Sequence, residues 1–378
     1  VQANWMRFVL SGAPLVLDAT CVIAPLLCTR MVGAVSPAVQ LLKTRIAPLL
    51  TVSAATPIGS ASVQTPDWIV TGSARPRTPG VDLRGVETLR VREDAERILS
   101  RLSRGSPVVI AGGGLVGVRA AEALAARGAR VHLVVTSRHV LSQMLDLASA
   151  EIVLRRLEAH GIDVRLSTEV REFFGHGELE AVALSDGTEV RAGLALVAKG
   201  VQPNTSCVRG TGVVIGLGIE VDRYLATGAP EVYAAGDVAE AYDPLRGKPW
   251  LNALWPMAVE QGRTAALNMT GSRVCYGGSI RMNAVEIFGY PCVSIGHVYD
   301  LDGTPSFVRH DRRAQSYRKL FVQGDRLVGA VLMGDVRGAG ILAERIRFPR
   351  PSSAGWLDET LVFGPRFGRH LDADREAA

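Results

Sequence analysis

The chain has 378 residues, of which 47% are hydrophobic and 21% charged, and its mean hydropathy is +0.18. This length predicts two to three domains with a sizeable core, and the composition excludes a largely disordered chain. Five cysteines are too few for a disulfide scaffold and favour a reducing compartment, so we expect a cytoplasmic location. A net charge of +5 over this length does not indicate nucleic-acid binding.

The first 66 residues have an unusual composition. Asp18 is the only acidic residue in this stretch, whereas an even distribution along the chain would place about six there. The most apolar run extends from Phe8 to Cys28, but it contains Asp18 and two prolines. It therefore does not predict a membrane span.

Strands alternate with helices from residue 107 onward. The predicted elements are strand Pro107–Ala111, helix Leu115–Ala126, strand Val131–Val135, helix Ser149–His160, strand Val164–Leu166 and strand Leu194–Ala198. This alternation predicts a doubly wound parallel sheet. Asp186-Gly187 predicts a hairpin turn between two further short strands. After Val274, short strands and turns predict a smaller α+β domain, which is followed by an extended tail from about residue 348.

A glycine-rich fingerprint joins the first of these strands to its helix. Gly112, Gly114 and Gly117 have the G-x-G-x-x-G spacing, with Leu115 and Val116 between the last two. These glycines permit a tight turn, a close approach of the backbone to a pyrophosphate and close helix packing. The helix N-terminus adds free N–H groups and a partial positive charge for a phosphate. The motif predicts dinucleotide binding, and a glycine-rich turn without a ligand is the alternative.

The end of the second strand bears on the choice between NADH and NADPH. No carboxylate occurs at residues 135–139, where an acidic side chain would bind a ribose 2′-hydroxyl. Thr136, Ser137 and Arg138 could instead hold a 2′-phosphate, which favours NADPH. The alternative is that Arg138 is a solvated loop residue.

A second motif, Glu231–Val238, consists of an apolar strand that ends in Gly236 and Asp237. Ligands bind at such strand ends in open α/β sheets, and a carboxylate there can accept hydrogen bonds from polyol hydroxyls. An ordinary Gly-Asp turn explains the motif equally well.

These motifs together resemble those of the flavoprotein reductases that have two dinucleotide-binding domains and bind FAD and NAD(P)H. The resemblance covers about residues 67–346 and rests on five segments in family order: Thr71–Arg77, Leu89–Ala95, Gly112–Gly117, Val232–Asp237 and Trp255–Asn268. It implies that hydride passes from the nicotinamide to the flavin and that electrons then pass to an acceptor. No catalytic side chain and no metal is implied, because the flavin carries the chemistry. The fingerprint residues and Arg138 are cofactor-binding candidates. The resemblance implies eight further cofactor-binding residues: Gly12, Thr71, Gly72, Gly200, Gly236, Asp237, Glu260 and Gln261.

Further residues indicate which branch of the family the chain resembles. No redox-active C-x4-C pair is present, and Met282–Gly289 and Leu327–Gly340 resemble the C-terminal domain of ferredoxin, rubredoxin and nitrite-reductase-type flavoproteins. In that branch the domain covers the flavin and often mediates dimerisation. The expected acceptor is therefore a small carrier such as ferredoxin or rubredoxin, or a small molecule such as dioxygen or a quinone. The chain would act as a homodimer or as a subunit of a complex.

The implied fold class is α/β, with two Rossmann-like domains, one inserted into the other, and a small α+β C-terminal domain. The expected boundaries are 1–82 and 221–272 for the FAD domain, 83–220 for the NAD(P) domain, 273–347 for the C-terminal domain and 348–378 for the tail.

The chain departs from the family at its start. Met6–Ala13 resembles the first strand of the FAD domain, but Pro14, Leu15 and Leu17 stand where glycines would be needed. This half-domain is expected to be short and altered. The alternative function is therefore a flavin-free, nucleotide-binding pseudoenzyme or a structural subunit of a larger redox complex.

Overall fold

The computed structural model describes residues 76–298, 306–324 and 326–349, together with four short strands, Trp5–Leu10, Ala13–Asp18, Val22–Ile23 and Thr71–Ser73. The chain divides into two compact units. We name them the fingerprint unit, Ser73–Gly200 with Ile280–Ala378, and the Gly-Asp unit, Val1–Gly72 with Val201–Ser279. Within the described ranges, no helix is both long enough and apolar enough to cross a membrane.

A five-stranded parallel sheet lies at the centre of the fingerprint unit. In order across the sheet, its strands are Val86–Glu87, Leu194–Val197, Pro107–Ala111, Arg130–Val135 and Asp163–Leu166. The middle strands consist almost entirely of aliphatic residues, and Val108, Val109 and Leu133 are fully buried. Such apolar strands are stable only in a sheet that is covered on both faces.

Helices connect the parallel strands, because two strands that run in the same direction cannot be joined by a tight turn. The fingerprint helix, Leu115–Ala125, follows the strand that ends at Ala111. The Asp146-capped helix, Leu147–Ala159, follows the strand that ends at Val135. A third helix, Arg92–Ser100, precedes the first of these two strands.

A three-stranded antiparallel meander adds to the core of the sheet. Its strands are Val170–Phe174, Ala181–Leu184 and Glu189–Arg191. Phe173 and Val182 belong to the same buried core as Val109 and Val134 of the parallel sheet. The hairpin predicted at Asp186-Gly187 is confirmed, since the second and third strands pair antiparallel around it and Gly187 has a φ of +82°.

The C-terminal sheet is antiparallel and has five strands. In order across the sheet they are Met282–Ile287, Tyr290–Gly296, Arg326–Met333, Ser316–Gln323 and Ser306–Asp311. A helix, Ala339–Arg347, follows and buries Leu342 and Ile346. This arrangement agrees with the small α+β domain that the sequence predicted.

The Gly-Asp unit contains shorter strands and one long helix, Trp255–Met269. Its other elements are the strands Val201–Pro203, Ile219–Glu220, Ala234–Ala235, Ala239–Asp243 and Lys248–Leu251 and the 3-10 helix Ser206–Val208. Val201–Pro203 neighbours Thr71–Ser73, and Ala234–Ala235 pairs antiparallel with Val22–Ile23. The core of this unit includes Ile219, Leu225, Ala234, Ala265 and Tyr276.

The predicted α/β class is confirmed, and three local differences have physical reasons. The Asp146-capped helix begins two residues earlier than predicted because Asp146 accepts a hydrogen bond from the backbone of Ser149. The edge strand Ser306–Asp311 escaped prediction because it is largely exposed and lacks an apolar run. Near the N-terminus, Trp5–Leu10 pairs antiparallel with Ala13–Asp18, so a second strand follows where the family pattern has a helix.

We expect the substitution Leu133→Ala to lower the free energy of unfolding by about 2–5 kcal/mol, because it leaves a cavity in the middle of the parallel sheet. Leu99→Ala is the matched control, since the Leu99 side chain lies on a helix and is 45% exposed. It should change stability by less than about 0.5 kcal/mol. Urea unfolding followed by circular dichroism measures both effects, and equal losses would contradict the assigned burial.

Candidate functional site

At two glycines of the turn between strand Pro107–Ala111 and the fingerprint helix, neighbouring backbone atoms leave no room for a side chain. Gly112 has a φ of +131°, and a Cβ atom there would lie 2.3 Å from the carbonyl oxygen of Ala198. A Cβ on Gly117 would lie 1.8 Å from the carbonyl oxygen of Gly112. Both distances are far below van der Waals contact. The absence of side chains therefore lets the helix begin directly against the end of the strand.

Gly114 has a different environment. It is the N-cap of the fingerprint helix with a φ of −79°, and a Cβ there would meet no heavy atom within 4 Å. No side chain caps this helix end, and its first turn, which starts with Leu115 and Val116, contains no acidic residue. The N–H groups of a first turn have no acceptor within the helix, and they carry its partial positive charge. This open stretch of backbone fits the pyrophosphate of a dinucleotide.

The loop after the second parallel strand lies beside this turn. A Cβ on Gly113 would lie 2.7 Å from two methyl carbons of Val135, the last residue of that strand. The Ser137 hydroxyl donates to the carbonyl oxygen of His139 at 2.8 Å. Arg138 is exposed and forms no hydrogen bond or ion pair with any other described residue. Its guanidinium is therefore available to a ligand.

A third turn at the same edge follows strand Leu194–Val197 and contains Gly200, which has a φ of +93°. The N–H of Ala198 donates to the carbonyl oxygen of Ala111 at 2.9 Å, which places the start of this turn beside the fingerprint. Lys199 forms an ion pair with Glu169, with 3.4 Å between Nζ and Oε1. Sequence reasoning missed Lys199, although a lysine at the end of an apolar strand was the available signal. The carboxyl ends of three parallel strands thus bring together the fingerprint, Arg138 and Gly200, as expected for a ligand site in an open α/β sheet.

The second predicted cluster lies in the Gly-Asp unit. Gly236 has a φ of +83°, and its N–H donates to Oε1 of Gln261 at 2.8 Å. Gln261 is 1% exposed, and its Nε2 lies 3.4 Å from the hydroxyl oxygen of Tyr276. Gln261 therefore holds the Gly-Asp turn to the helix Trp255–Met269. Asp237 and Glu260 are half-buried, and their roles toward a flavin, like that of Gln261, stay predictions.

The remaining predicted residues lie near or outside the limits of the described chain. Thr71 and Gly72 belong to a strand that neighbours Val201–Pro203 in the Gly-Asp unit. Gly12 lies outside the described residues. Their predicted contacts with a cofactor stay predictions.

The cysteines show no arrangement for disulfide chemistry in the described part of the chain. Cys207 and Cys275 are exposed and free, and Cys292 is buried and free. Burial raises the pKa of the Cys292 thiol to about 12, so this thiol stays protonated. Across the same residues, no group of three or more His, Cys, Asp or Glu side chains could hold a metal ion.

A parallel sheet whose strand ends in an open glycine turn at a helix N-terminus defines a dinucleotide-binding domain. Comparison with known proteins places this domain in a family. Residues 68–262 match the family model described as pyridine nucleotide-disulphide oxidoreductase, and residues 282–347 match the rubredoxin NAD+ reductase C-terminal domain. The chain belongs to the pyridine nucleotide-disulphide oxidoreductase family, as the resemblance predicted. Members of this family bind FAD and use NAD(P)H.

Individual relatives differ in how much of their length the chain covers. The NADH-dependent phenylglyoxylate dehydrogenase subunit epsilon of Aromatoleum evansii is 30% identical, over 76% of this chain and 69% of the relative. The nitrite reductase [NAD(P)H] of Bacillus subtilis is 29% identical, and the match covers 68% of this chain but only 31% of that protein. Among solved structures, a NAD-dependent persulfide reductase from A. fulgidus matches with a TM-score of 0.68 and 28% identity, over 73% of this chain and 55% of that one.

Substitutions at Gly114 and Gly117 should have different effects, because the space beside Gly114 is empty and the space beside Gly117 is filled by backbone. Gly114→Ala should change the free energy of unfolding by less than about 1 kcal/mol, because its φ suits alanine and the space is empty, while alanine is a weaker N-cap than glycine. It should nevertheless weaken NAD(P)H binding, because the methyl group stands where the backbone would approach the pyrophosphate. Gly117→Ala should cost about 1–3 kcal/mol or more, because the Gly112 carbonyl must move. Thermal unfolding and nucleotide fluorescence titration test both, and a Gly114→Ala variant destabilised as much as Gly117→Ala would contradict the geometry.

Proposed function

We propose that this chain is an FAD-dependent NAD(P)H oxidoreductase that passes electrons to a small redox carrier. The observation that carries the proposal is the fingerprint turn, in which Gly112 and Gly117 close the backbone while the helix end at Gly114 stays open. Close packing within the chain does not require a glycine at position 114, whereas close approach of a pyrophosphate to the backbone does. Family membership supports the flavin half of the proposal.

The residues of the chain bind and orient the cofactors in this proposal. The N–H groups of Leu115, Val116 and Gly117 would hold the pyrophosphate of NAD(P)H, and Gly200 leaves the neighbouring edge of the sheet open. In the Gly-Asp unit, Asp237 would accept hydrogen bonds from the flavin ribityl hydroxyls, and Gln261 holds the turn that presents it. FAD, when bound, supplies the ring that accepts a hydride and releases electrons to an acceptor.

NADPH is the cofactor that the loop 135–139 fits better. Arg138 has no partner among the described residues, and no carboxylate is present there to bind a free 2′-hydroxyl or repel a phosphate. A 2′-phosphate would gain charge-assisted hydrogen bonds from the Arg138 guanidinium and further hydrogen bonds from Thr136.

A small iron–sulfur or rubredoxin-type carrier is the proposed electron acceptor, with a small molecule such as dioxygen or a quinone as the other possibility. The match of residues 282–347 to a rubredoxin reductase C-terminal domain supports a carrier. The net charge of +5 would favour the approach of an acidic protein. We also propose that the chain acts as a homodimer or as a subunit of a larger complex, and that it is located in the cytoplasm.

The second candidate function is a flavin-free nucleotide-binding subunit. The observation that favours it is the antiparallel pairing of Trp5–Leu10 with Ala13–Asp18, because an FAD fingerprint needs a strand followed by a helix. The glycine fingerprint lies outside this segment, so we propose that NAD(P)H binding is common to both functions.

Absorption spectroscopy of the purified protein separates the two functions. We expect a flavin band that bleaches when NADPH is added without oxygen and returns when a ferredoxin, a rubredoxin or dioxygen is supplied. Free FAD added to the desalted protein should restore any band lost in purification. A colourless protein that binds NADPH but takes up no FAD would establish the flavin-free function, and a protein that binds neither would refute both.

We expect Arg138→Ala to raise the dissociation constant for NADPH about 10- to 100-fold, because a hydrogen bond to a charged group contributes about 1.5–3 kcal/mol. The constant for NADH should change by less than about twofold, since NADH lacks the phosphate. Arg155→Ala is the control, because Arg155 is an exposed arginine whose partner is Glu151 on the Asp146-capped helix. Equal effects on NADH and NADPH would rule out a contact with the 2′-phosphate.

A further inference from the structure

The middle of the loop 136–146, which carries Arg138, is bound to the fingerprint turn. The N–H of Leu141 donates to the carbonyl oxygen of Gly113 at 2.7 Å. Leu141 has a φ of +51° and is 1% exposed. A left-handed conformation is unfavourable for leucine, so it persists only where the surrounding structure enforces it. The loop is therefore held in a particular position relative to the fingerprint.

The last residue of the loop is bound to the C-terminal sheet. Oδ2 of Asp146 accepts hydrogen bonds from the Tyr317 hydroxyl at 2.9 Å and from Lys319 Nζ at 3.0 Å. Its Oδ1 accepts from the N–H of Ser149 at 3.1 Å and from the Ser149 hydroxyl. All four residues are buried, with Lys319 6% and Tyr317 2% exposed. Strand Ser316–Gln323 thus reaches the last residue of the loop.

Burial of this ion pair is not explained by stability alone. Replacing a buried pair by apolar side chains is often neutral for stability, whereas the pair specifies one relative position of the groups that carry it. Burial alone would raise the pKa of Asp146, but the hydrogen bonds from Ser149, Lys319 and Tyr317 outweigh it and hold this pKa below its ordinary value. Asp146 is therefore ionised at neutral pH, and Lys319 remains paired.

A separate contact holds the C-terminal sheet to the fingerprint helix. The N–H of Phe288 donates to Oε1 of Glu122 at 3.0 Å, and Arg119 donates to the carbonyl oxygen of Glu286. The ring of Phe288 stacks on His160 with 3.8 Å between the centroids. The sheet therefore has a second attachment, which does not involve the loop 136–146.

We infer that Asp146, Tyr317 and Lys319 are positioning residues for NAD(P)H, through which the C-terminal sheet holds the loop 136–146 in its binding conformation. This inference rests on the proposed function and extends it, because it gives the C-terminal sheet a part in nucleotide affinity. Loss of the carboxylate weakens the attachment at the last residue of the loop, so that binding must restore the position of Arg138. Binding is then weaker, while turnover at saturating nucleotide is unchanged.

The test uses the full chain with its flavin and compares Asp146→Asn with Glu122→Gln. Asn retains an oxygen that can accept from Ser149 but loses the charge that pairs with Lys319. We expect Asp146→Asn to raise the dissociation constant and KM for NADPH at least about fivefold with little change in kcat. Glu122→Gln weakens the other attachment and should leave both constants within about twofold.

Further variants keep the inference falsifiable if Asp146→Asn folds poorly. Tyr317→Phe removes one hydrogen bond and should give a smaller increase in the same direction, and Lys319→Arg should retain most of the affinity because the pair is kept. Wild-type affinity in folded Asp146→Asn or Tyr317→Phe, or an equal loss in Glu122→Gln, would overturn the inference. A wild-type chain that binds no NADPH would refute the proposed function itself.

Discussion

Contact between backbone atoms at the glycine turn is the constraint on which the fingerprint unit depends. The first turn of the fingerprint helix approaches the carbonyl oxygen of Gly112 so closely that no side chain fits at position 117. In the glycine turn itself, the carbonyl oxygen of Gly113 accepts a hydrogen bond from Leu141, and Gly113 lies against Val135. One short stretch of main chain therefore determines where the helix end, the second strand and the loop after it stand relative to one another.

The two halves of the proposed chemistry depend on different parts of the molecule. The proposed nucleotide site lies on a sheet whose strands, turns and loop all belong to the fingerprint unit. The proposed flavin site includes the turn at Gly236, which Gln261 holds, and family membership from residue 68 onward supports it. The acid-poor start of the chain precedes that match, and its first two strands pair with each other. The two proposed functions therefore differ only in the flavin half of the chemistry.

Local sequence patterns predicted most of the parallel sheet, because buried strands and amphipathic helices are each encoded by a few neighbouring residues. The fingerprint was recognisable for the same reason, since its glycines stand at a fixed spacing within six positions, between a strand and a helix. The contact of Asp146 with Lys319 was not predictable, because it joins residues 173 positions apart whose side chains look like ordinary surface charges in the sequence. The bond from Gly236 to Gln261 spans 25 positions, so the glutamine was noticed only through the family resemblance.

The empty space beside Gly114 distinguishes selection for folding from selection for ligand binding, which usually act on the same residues. At position 117 a glycine is required for the chain to fold, whatever the chain does afterwards. At position 114 the surrounding atoms leave room for an alanine side chain, so close packing does not require glycine there, whereas a ligand that touches the main chain does. Among related chains, those that have stopped binding nucleotides should therefore diverge first at this position while keeping the glycine three residues further on.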